Sequence, residues 1–121
     1  MSITKNERTP LVGATQTSTF GAVVTSFNSS GNFVAPPATT SVTYLVLAGG
    51  GAGGFFGGGG GAGGYRSSTP GEASGGGASA EPALSITAGS TIPVTVGAGG
   101  AAVGAHNTWN KGSDSSFGPI T

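Results

Sequence analysis

The segment SVTYLVLA (residues 41–48) runs directly into GGGAGGFFGGGGGAGG (residues 49–64), and this junction decides the fold. Successive side chains of a strand point to opposite faces. One face would carry Val42, Tyr44, Val46 and Ala48, and the other Thr43, Leu45 and Leu47. Both faces are largely apolar, so the segment predicts a central strand covered on two sides, as in the interior of a β-sandwich.

Residues 49–64 form a glycine tract in which only Ala52, Phe55, Phe56 and Ala62 are not glycine. Glycine loses more backbone entropy on ordering than any other residue. We therefore expect the tract to be ordered only where other parts of the chain enclose it. An extended, polyproline-II-like backbone is one state open to it, because glycine lets neighbouring backbones approach closely. A further glycine cluster at residues 97–104 again follows a predicted strand.

Other apolar runs predict two hairpins. Residues 21–27 and 33–35 flank a loop of Asn, Ser and Gly, and residues 84–87 and 92–96 flank a short turn. Pro93 would place its strand at a sheet edge or make it a strand start, because proline cannot donate to a ladder. No long segment has the helical period. The predicted fold is all-β, a small antiparallel β-sandwich with long glycine-rich loops.

The N-terminal region differs from the rest of the chain. Residues 1–19 contain Lys5, Glu7 and Arg8 and a Thr-rich stretch without helical period. They predict an extended arm ahead of a glycine-rich β domain at residues 20–121. Two interpretations stay open, a floppy terminus and an arm that orders against a partner subunit.

Composition excludes several classes of protein. The 121 residues include 26 glycines, no cysteine, four Lys and Arg, and four Asp and Glu. So few basic side chains cannot neutralise a row of phosphates, which argues against nucleic-acid binding. The lack of cysteine excludes a disulfide framework, a thiolate zinc site and a cysteine nucleophile. We expect no membrane insertion and no secretory signal peptide, since apolar runs are short and the first residues are polar.

Motifs for catalysis or cofactor binding are weak. Gly49, Gly51 and Gly54 match the spacing of a dinucleotide-binding fingerprint, but that motif needs a helix opening at the last glycine. His106 and Asp114 could belong to a triad, yet no serine lies on a nucleophile elbow. A lone histidine is too few for a metal site within one chain. We predict no catalytic residue, no cofactor and no metal, and hence no enzyme.

The aromatic residues are the best candidates for surface contacts. Phe55, Phe56, Tyr65 and Trp109 lie in or near glycine-rich loops, where binding residues are common. The alternative is that these rings pack on the glycine backbone and hold the loops in place.

Several blocks, taken in order, resemble a known domain. They are FNSSGNF (27–33), TSVTYLVLAGGG (40–51), GAGGYR (61–66), LSITAGSTIPVTVGAGG (84–100) and NKGSDSSFGPIT (110–121). Together they resemble the glycine-rich domain of tail-fibre and appendage proteins of bacteriophages, especially marine ones. That domain usually continues past the last block, so we expect either a piece of a longer protein or a minimal version.

The resemblance implies a phage virion protein, assembled in the host cytoplasm and extracellular after lysis. Its implied role is a tail fibre or receptor-binding appendage. Its partners would be other virion proteins, further copies of itself (a trimer by analogy), and a polysaccharide or outer-membrane protein of the host surface. A capsid decoration or head-fibre protein is the first alternative, and a glycine-loop nucleotide-binding enzyme is the second.

Overall fold

The computed structural model describes residues 14–19, 22–106 and 108–121. Nine short strands make up most of the regular structure. They are β1 (Ala14–Thr19), β2 (Ala22–Phe27), β3 (Gly31–Val34), β4 (Ser41–Val42), β5 (Leu45–Leu47), β6 (Tyr65–Ser67), β7 (Leu84–Ser85), β8 (Thr91–Thr95) and β9 (Ser116–Phe117). A single 3-10 turn at Gly75–Gly77 is the one helical element of the described residues. The predicted all-β class is confirmed, and none of the described residues forms a helix that could cross a membrane.

The strands form four small antiparallel sheets. Three sheets have two strands each, β1–β2, β4–β7 and β5–β6, and the fourth has the order β3-β8-β9. In the three-stranded sheet, Phe33 and Phe117 make an edge-to-face ring contact with centroids 5.6 Å apart. Two-stranded sheets are marginal by themselves, so packing and loop contacts must hold this fold together.

Neither hairpin predicted from the sequence is formed. The strand at residues 22–27 pairs with β1, while β3 pairs with β8. Likewise β7 pairs with β4, and β8 lies between β3 and β9. Turn chemistry indicated correctly where the chain reverses, as at residues 87–90, where the Ser90 N–H donates to the Thr87 carbonyl. It does not determine whether the strand after the turn returns beside the strand before it.

The position of Pro93 was also predicted wrongly, since β8 is a central strand. The Pro93 carbonyl accepts from the Gly118 N–H on the β9 side. The N–H that proline lacks would point to that same side, where β9 pairs only with Val94 and Thr95. The sheet therefore loses no backbone hydrogen bond through the proline at position 93.

Among the described residues, the prediction that the segment at residues 41–48 is covered on both faces is wrong. Tyr44 is buried at 8% exposure, whereas Leu45 and Leu47 are 53% and 55% exposed. β5 has one strand neighbour, β6, and covers only three residues. One face of the segment therefore lies inside the fold and the other lies outside it.

The interior is polar as well as apolar. Among the described residues the buried hydrophobic side chains are Ala35 and Tyr44, and the buried polar ones are Ser67, Ser68, Ser74 and Ser115. Each serine oxygen takes part in a hydrogen bond. Small hydroxyl side chains can satisfy backbone groups that the short strands leave unpaired.

The predicted arm lies only partly within the described residues. Residues 14–19 form β1, which pairs along its whole length with β2. The candidate anchoring residues Lys5, Glu7 and Arg8 lie outside the described residues.

Candidate functional site

Four backbone segments pack side by side to form what we call the glycine stack, residues 48–52, 60–64, 97–100 and 110–113. The segment at residues 48–52 lies at its centre and is hydrogen-bonded to the other three. Gly51 N–H donates to Gly61 O (2.8 Å), Gly49 N–H to Ser113 O (2.9 Å), and Gly100 N–H to Gly50 O (2.8 Å). A β-strand bonds two neighbours, whereas extended chains with three residues per turn can bond in three directions. The pattern agrees with polyproline-II-like packing, which is one of the states that the sequence leaves open to the tract.

Close backbone approach explains why the stack needs glycine. A Cβ on Gly112 would overlap the carbonyl oxygen of Gly49, and a Cβ on Gly49 would overlap that of Ala98. Gly100 is equally confined, with the Ala52 nitrogen 2.8 Å from the position of a Cβ. As at the axis of collagen, only glycine fits where backbones crowd this closely. Residues 49–52 are thus enclosed by neighbouring backbones, as expected, whereas residues 53–64 of the tract are exposed to solvent.

A groove of about 390 Å³ runs over the stack. Its floor is glycine and alanine backbone, and its polar and aromatic side chains come from the segment at residues 109–114, namely Trp109, Asn110, Lys111 and Asp114. Trp109 is 77% exposed. The groove therefore offers a ligand peptide groups, one indole ring, an amide, an ammonium and a carboxylate. We call it the glycine groove.

Three rings form an aromatic tip where the tract turns back on itself. Gly57 N–H donates to Gly54 O (3.0 Å), which places Phe55 and Phe56 at the corners of the turn. The His106 ring lies 4.6 Å from that of Phe55 and 4.8 Å from that of Phe56. Phe56 is 84% exposed. Since a turn and not a helix follows Gly54, the fingerprint spacing at residues 49–54 lacks the structure that dinucleotide binding needs.

The structure separates the four candidate contact residues. Phe55 and Phe56 share the aromatic tip, and Trp109 lies on the groove, whose floor connects to the tip through Ala52. The Ala52 N–H donates to the carbonyl of Asn110, next to Trp109. Tyr65 lies elsewhere, on β6 opposite Leu47. Of the four predicted residues, Phe55, Phe56 and Trp109 therefore lie at one end of the glycine stack, and Tyr65 lies apart from them.

The contribution of His106 was missed by sequence reasoning, which weighed it only as a catalytic or metal residue. Its place against the two Phe rings depends on how the loop at residues 101–106 packs on the tract turn. Nothing in the spacing of these residues indicates that contact. Among the described residues, no three His, Cys, Asp or Glu side chains gather in a group that could hold a metal ion.

A second polar cluster, centred on Glu81, joins distant parts of the chain. Arg66 donates to both carboxylate oxygens, from Nε at 2.7 Å and from Nη2 at 2.5 Å. The Tyr44 hydroxyl and the Ser74 hydroxyl also donate to this carboxylate. Arg66 Nη1 donates further to the Thr121 carbonyl at 2.7 Å. One carboxylate therefore links Tyr44, β6 and the loop at residues 68–83, and Arg66 extends the cluster to residue 121.

These contacts shift the pKa values of the cluster. The hydrogen bonds from Arg66, and then that from Tyr44, lower the pKa of Glu81 to about 2. Burial, with the hydrogen bond to Glu81, raises the pKa of Tyr44. The hydrogen bond to Glu81 raises the pKa of Arg66. The charged forms of Glu81 and Arg66 stabilise each other, which is the behaviour of a structural ion pair.

Acid is expected to weaken the fold through Glu81. Its folded-state pKa of about 2 lies below its ordinary value of 4.5. Its contribution to stability is therefore complete above about pH 4.5 and is lost as the pH falls toward 2. Urea unfolding of the wild type and Glu81→Gln at pH 6 and pH 3 checks this. The difference in the free energy of unfolding between the two proteins should be smaller at pH 3. An equal difference at both pH values would contradict the stabilising role of the Glu81 carboxylate.

Comparison with known families decides the classification. A family model described as a glycine-rich domain matches residues 25–121. The chain belongs to this glycine-rich domain family. The match begins within β2 and includes every segment of the glycine stack, so the glycine-rich domain contains both the groove and the aromatic tip. Neither curated proteins nor solved structures give a significant match. The family description specifies the glycine richness alone.

Proposed function

We propose that this glycine-rich domain is a structural protein of a phage virion, in a tail fibre or receptor-binding appendage that attaches to the host surface. Two lines of argument support the proposal. The chain is a member of the glycine-rich domain family over residues 25–121. Its sequence blocks also resemble the glycine-rich domain of tail-fibre and appendage proteins.

The observation that carries the proposal is the exposure of aromatic rings at one end of the glycine stack. Phe56 is 84% exposed and Trp109 is 77% exposed, although each would gain by burial. Trp109 stands beside a groove whose walls carry Asn110, Lys111 and Asp114. Sugars present apolar C–H faces and a rim of hydroxyls, which match rings beside amide, ammonium and carboxylate groups. A host-surface polysaccharide is therefore the ligand we favour, with an outer-membrane protein as the alternative.

The remaining contacts follow from the same role. Residues 1–19, with Lys5, Glu7 and Arg8, would contact other proteins of the virion. The domain would assemble with copies of itself, as a trimer by analogy with phage fibres. Its location would be the virion, built in the host cytoplasm and released by lysis.

Loss of the exposed rings is expected to abolish attachment. The double variant Phe56→Ala/Trp109→Ala should reduce binding of fluorescently labelled protein to host cells by about tenfold or more, since two exposed aromatic contacts are typical hot spots. Flow cytometry measures the binding. The matched control is Tyr65→Ala, which removes an aromatic ring outside the groove and the tip.

Three outcomes separate the possibilities. Loss of cell binding in the double variant alone supports the proposal. An equal loss of cell binding in Tyr65→Ala means that the substitutions affected the fold and not the binding surface. Unchanged binding by the double variant contradicts the proposed surface.

Negative-stain labelling of virions with an antibody to the chain tests the location. Label on the head instead of the tail would contradict the tail-fibre role and indicate a capsid decoration or head-fibre protein.

A further inference from the structure

An open apolar trough of about 370 Å³ lies on the part of the fold built by the strands. Its apolar lining comes from six strands or their flanks, with Val24 and Phe27 on β2, Phe33 on β3, Val42 on β4, Leu45 and Leu47 on β5, Val94 on β8 and Phe117 on β9. Of the described residues that line this apolar trough, none carries a charge. The other lining residues are mainly valine, serine and threonine.

The side chains of the trough are unusually exposed for their type. Val24 is 56% exposed, Leu45 is 53% and Leu47 is 55%. The pattern at residues 41–48 predicts a strand covered on both faces, but the described residues cover only the Tyr44 face. An apolar patch of this kind, built from several strands, is typical of an interaction site. The uncovered face therefore requires an occupant from outside the described fold.

We propose that the occupant is a second copy of this chain, so that the apolar trough is the interface between copies. This inference rests on the self-assembly within the proposed function. Two identical uncharged faces can meet without like-charge repulsion and without burying an unpaired charge. A face adapted to a charged partner would carry complementary charges, and this lining has none.

The size and shape of the surface fit the same occupant. Seventeen residues line the trough. A standard interface uses about 20–30 residues on each side, so the trough and its rim approach what a stable contact between copies needs. Leu45 and Leu47 both line the trough and project into solvent, and they can therefore enter the trough of a neighbouring copy.

The decisive variant is Leu47→Glu, compared with Phe56→Glu. Leu47 is more than half exposed, so a glutamate there is tolerated in the single chain but would be buried unpaired at the interface. Sedimentation velocity over a range of concentrations should show an oligomer for the wild type and for Phe56→Glu, and loss of that oligomer for Leu47→Glu. A monomeric wild type, or a Leu47→Glu protein that assembles like the wild type, would overturn the proposal. Phe56→Glu should lose attachment to host cells while it keeps the oligomer, which separates this proposal from the proposed binding surface.

A second measurement does not depend on a destabilising charge. The chain has no cysteine, so Leu47→Cys introduces a single thiol on the trough, and Phe56→Cys introduces one on the aromatic tip. Maleimide alkylation of the trough thiol should slow as the protein concentration rises, whereas alkylation of the tip thiol should not change. Fast alkylation of the trough thiol at every concentration would overturn the proposal. Slow alkylation of the trough thiol in a protein that sediments as a monomer would also overturn it, because another part of the same chain would then cover the trough.

Discussion

Gly112→Ala is expected to lower the free energy of unfolding by about 3 kcal/mol or more, at or beyond the upper end of the usual range for overpacking. The new Cβ would overlap the Gly49 carbonyl oxygen and lie 2.7 Å from that of Gly50. Both neighbours are backbone in the central segment of the glycine stack, and they cannot turn aside as a side chain can. Relief requires separation of segments that are joined by the bonds from Gly49 to Ser113 and from Ser113 to Ala98.

The matched control for this variant is Gly61→Ala, in the same stack. A Cβ at Gly61 would meet nothing within 4 Å, and its φ lies outside the left-handed range. There the loss of unfolded-state entropy should leave stability unchanged or raise it by up to about 1 kcal/mol. Urea unfolding followed by circular dichroism measures both proteins. Equal stability of the two variants would contradict the close packing of the stack.

Ser68→Ala is expected to have the second largest effect, a loss of about 1–3 kcal/mol in the free energy of unfolding. Ser68 is only 2% exposed, and its Oγ accepts the backbone N–H of Tyr44 at 2.8 Å. The Ser68 N–H in turn donates to the Tyr44 carbonyl at 3.0 Å. Removal of the hydroxyl leaves a buried amide without its acceptor, which costs more than the net value of a hydrogen bond.

The control here is Ser85→Ala, an exposed serine on β7. Surface substitutions of this kind usually change stability by no more than about 0.5 kcal/mol. Thermal unfolding of the two variants beside the wild type makes the comparison. If Ser68→Ala unfolds at the same temperature as Ser85→Ala, then water replaces the serine hydroxyl and the bond is dispensable.

These two sites show how a chain with few buried apolar residues can hold a fixed structure. Glycines such as Gly112 let backbones approach until their peptide groups bond one another. Serines such as Ser68 and Ser115 then satisfy backbone N–H groups beside the strands, at Tyr44 and Gly97 respectively. The interior is thereby held by peptide and hydroxyl hydrogen bonds in addition to hydrophobic contact. Such packing tolerates few changes of side-chain size.

Much of the local structure could be predicted from the sequence. The apolar runs predicted at residues 21–27, 33–35 and 92–96 overlap the strands at residues 22–27, 31–34 and 91–95. Phe55 and Phe56 lie in a loop, as the glycine tract around them indicated. Local backbone preference and the pattern of apolar side chains decide these features within a few residues. The all-β class follows from them.

Strand pairing and the candidate site could not be predicted in the same way. β3 finds its partner in β8, and β4 in β7, because turn residues specify that a chain reverses and not which strand it meets. The contacts of His106 with the Phe rings and of Arg66 with Glu81 likewise join residues from separate loops. Their spacing along the chain contains no period or motif that would indicate the contact.

The junction at residues 41–64 shows both what the sequence determines and what the tertiary structure decides. The sequence by itself determined that an apolar strand leads into a backbone free of side chains, because alternation and glycine content are local properties. Only the tertiary structure decided that this backbone bonds three neighbours at once and that Leu45 and Leu47 remain uncovered. Those outcomes depend on which distant segments come within hydrogen-bonding distance, and close approach of that kind is a property of the whole fold.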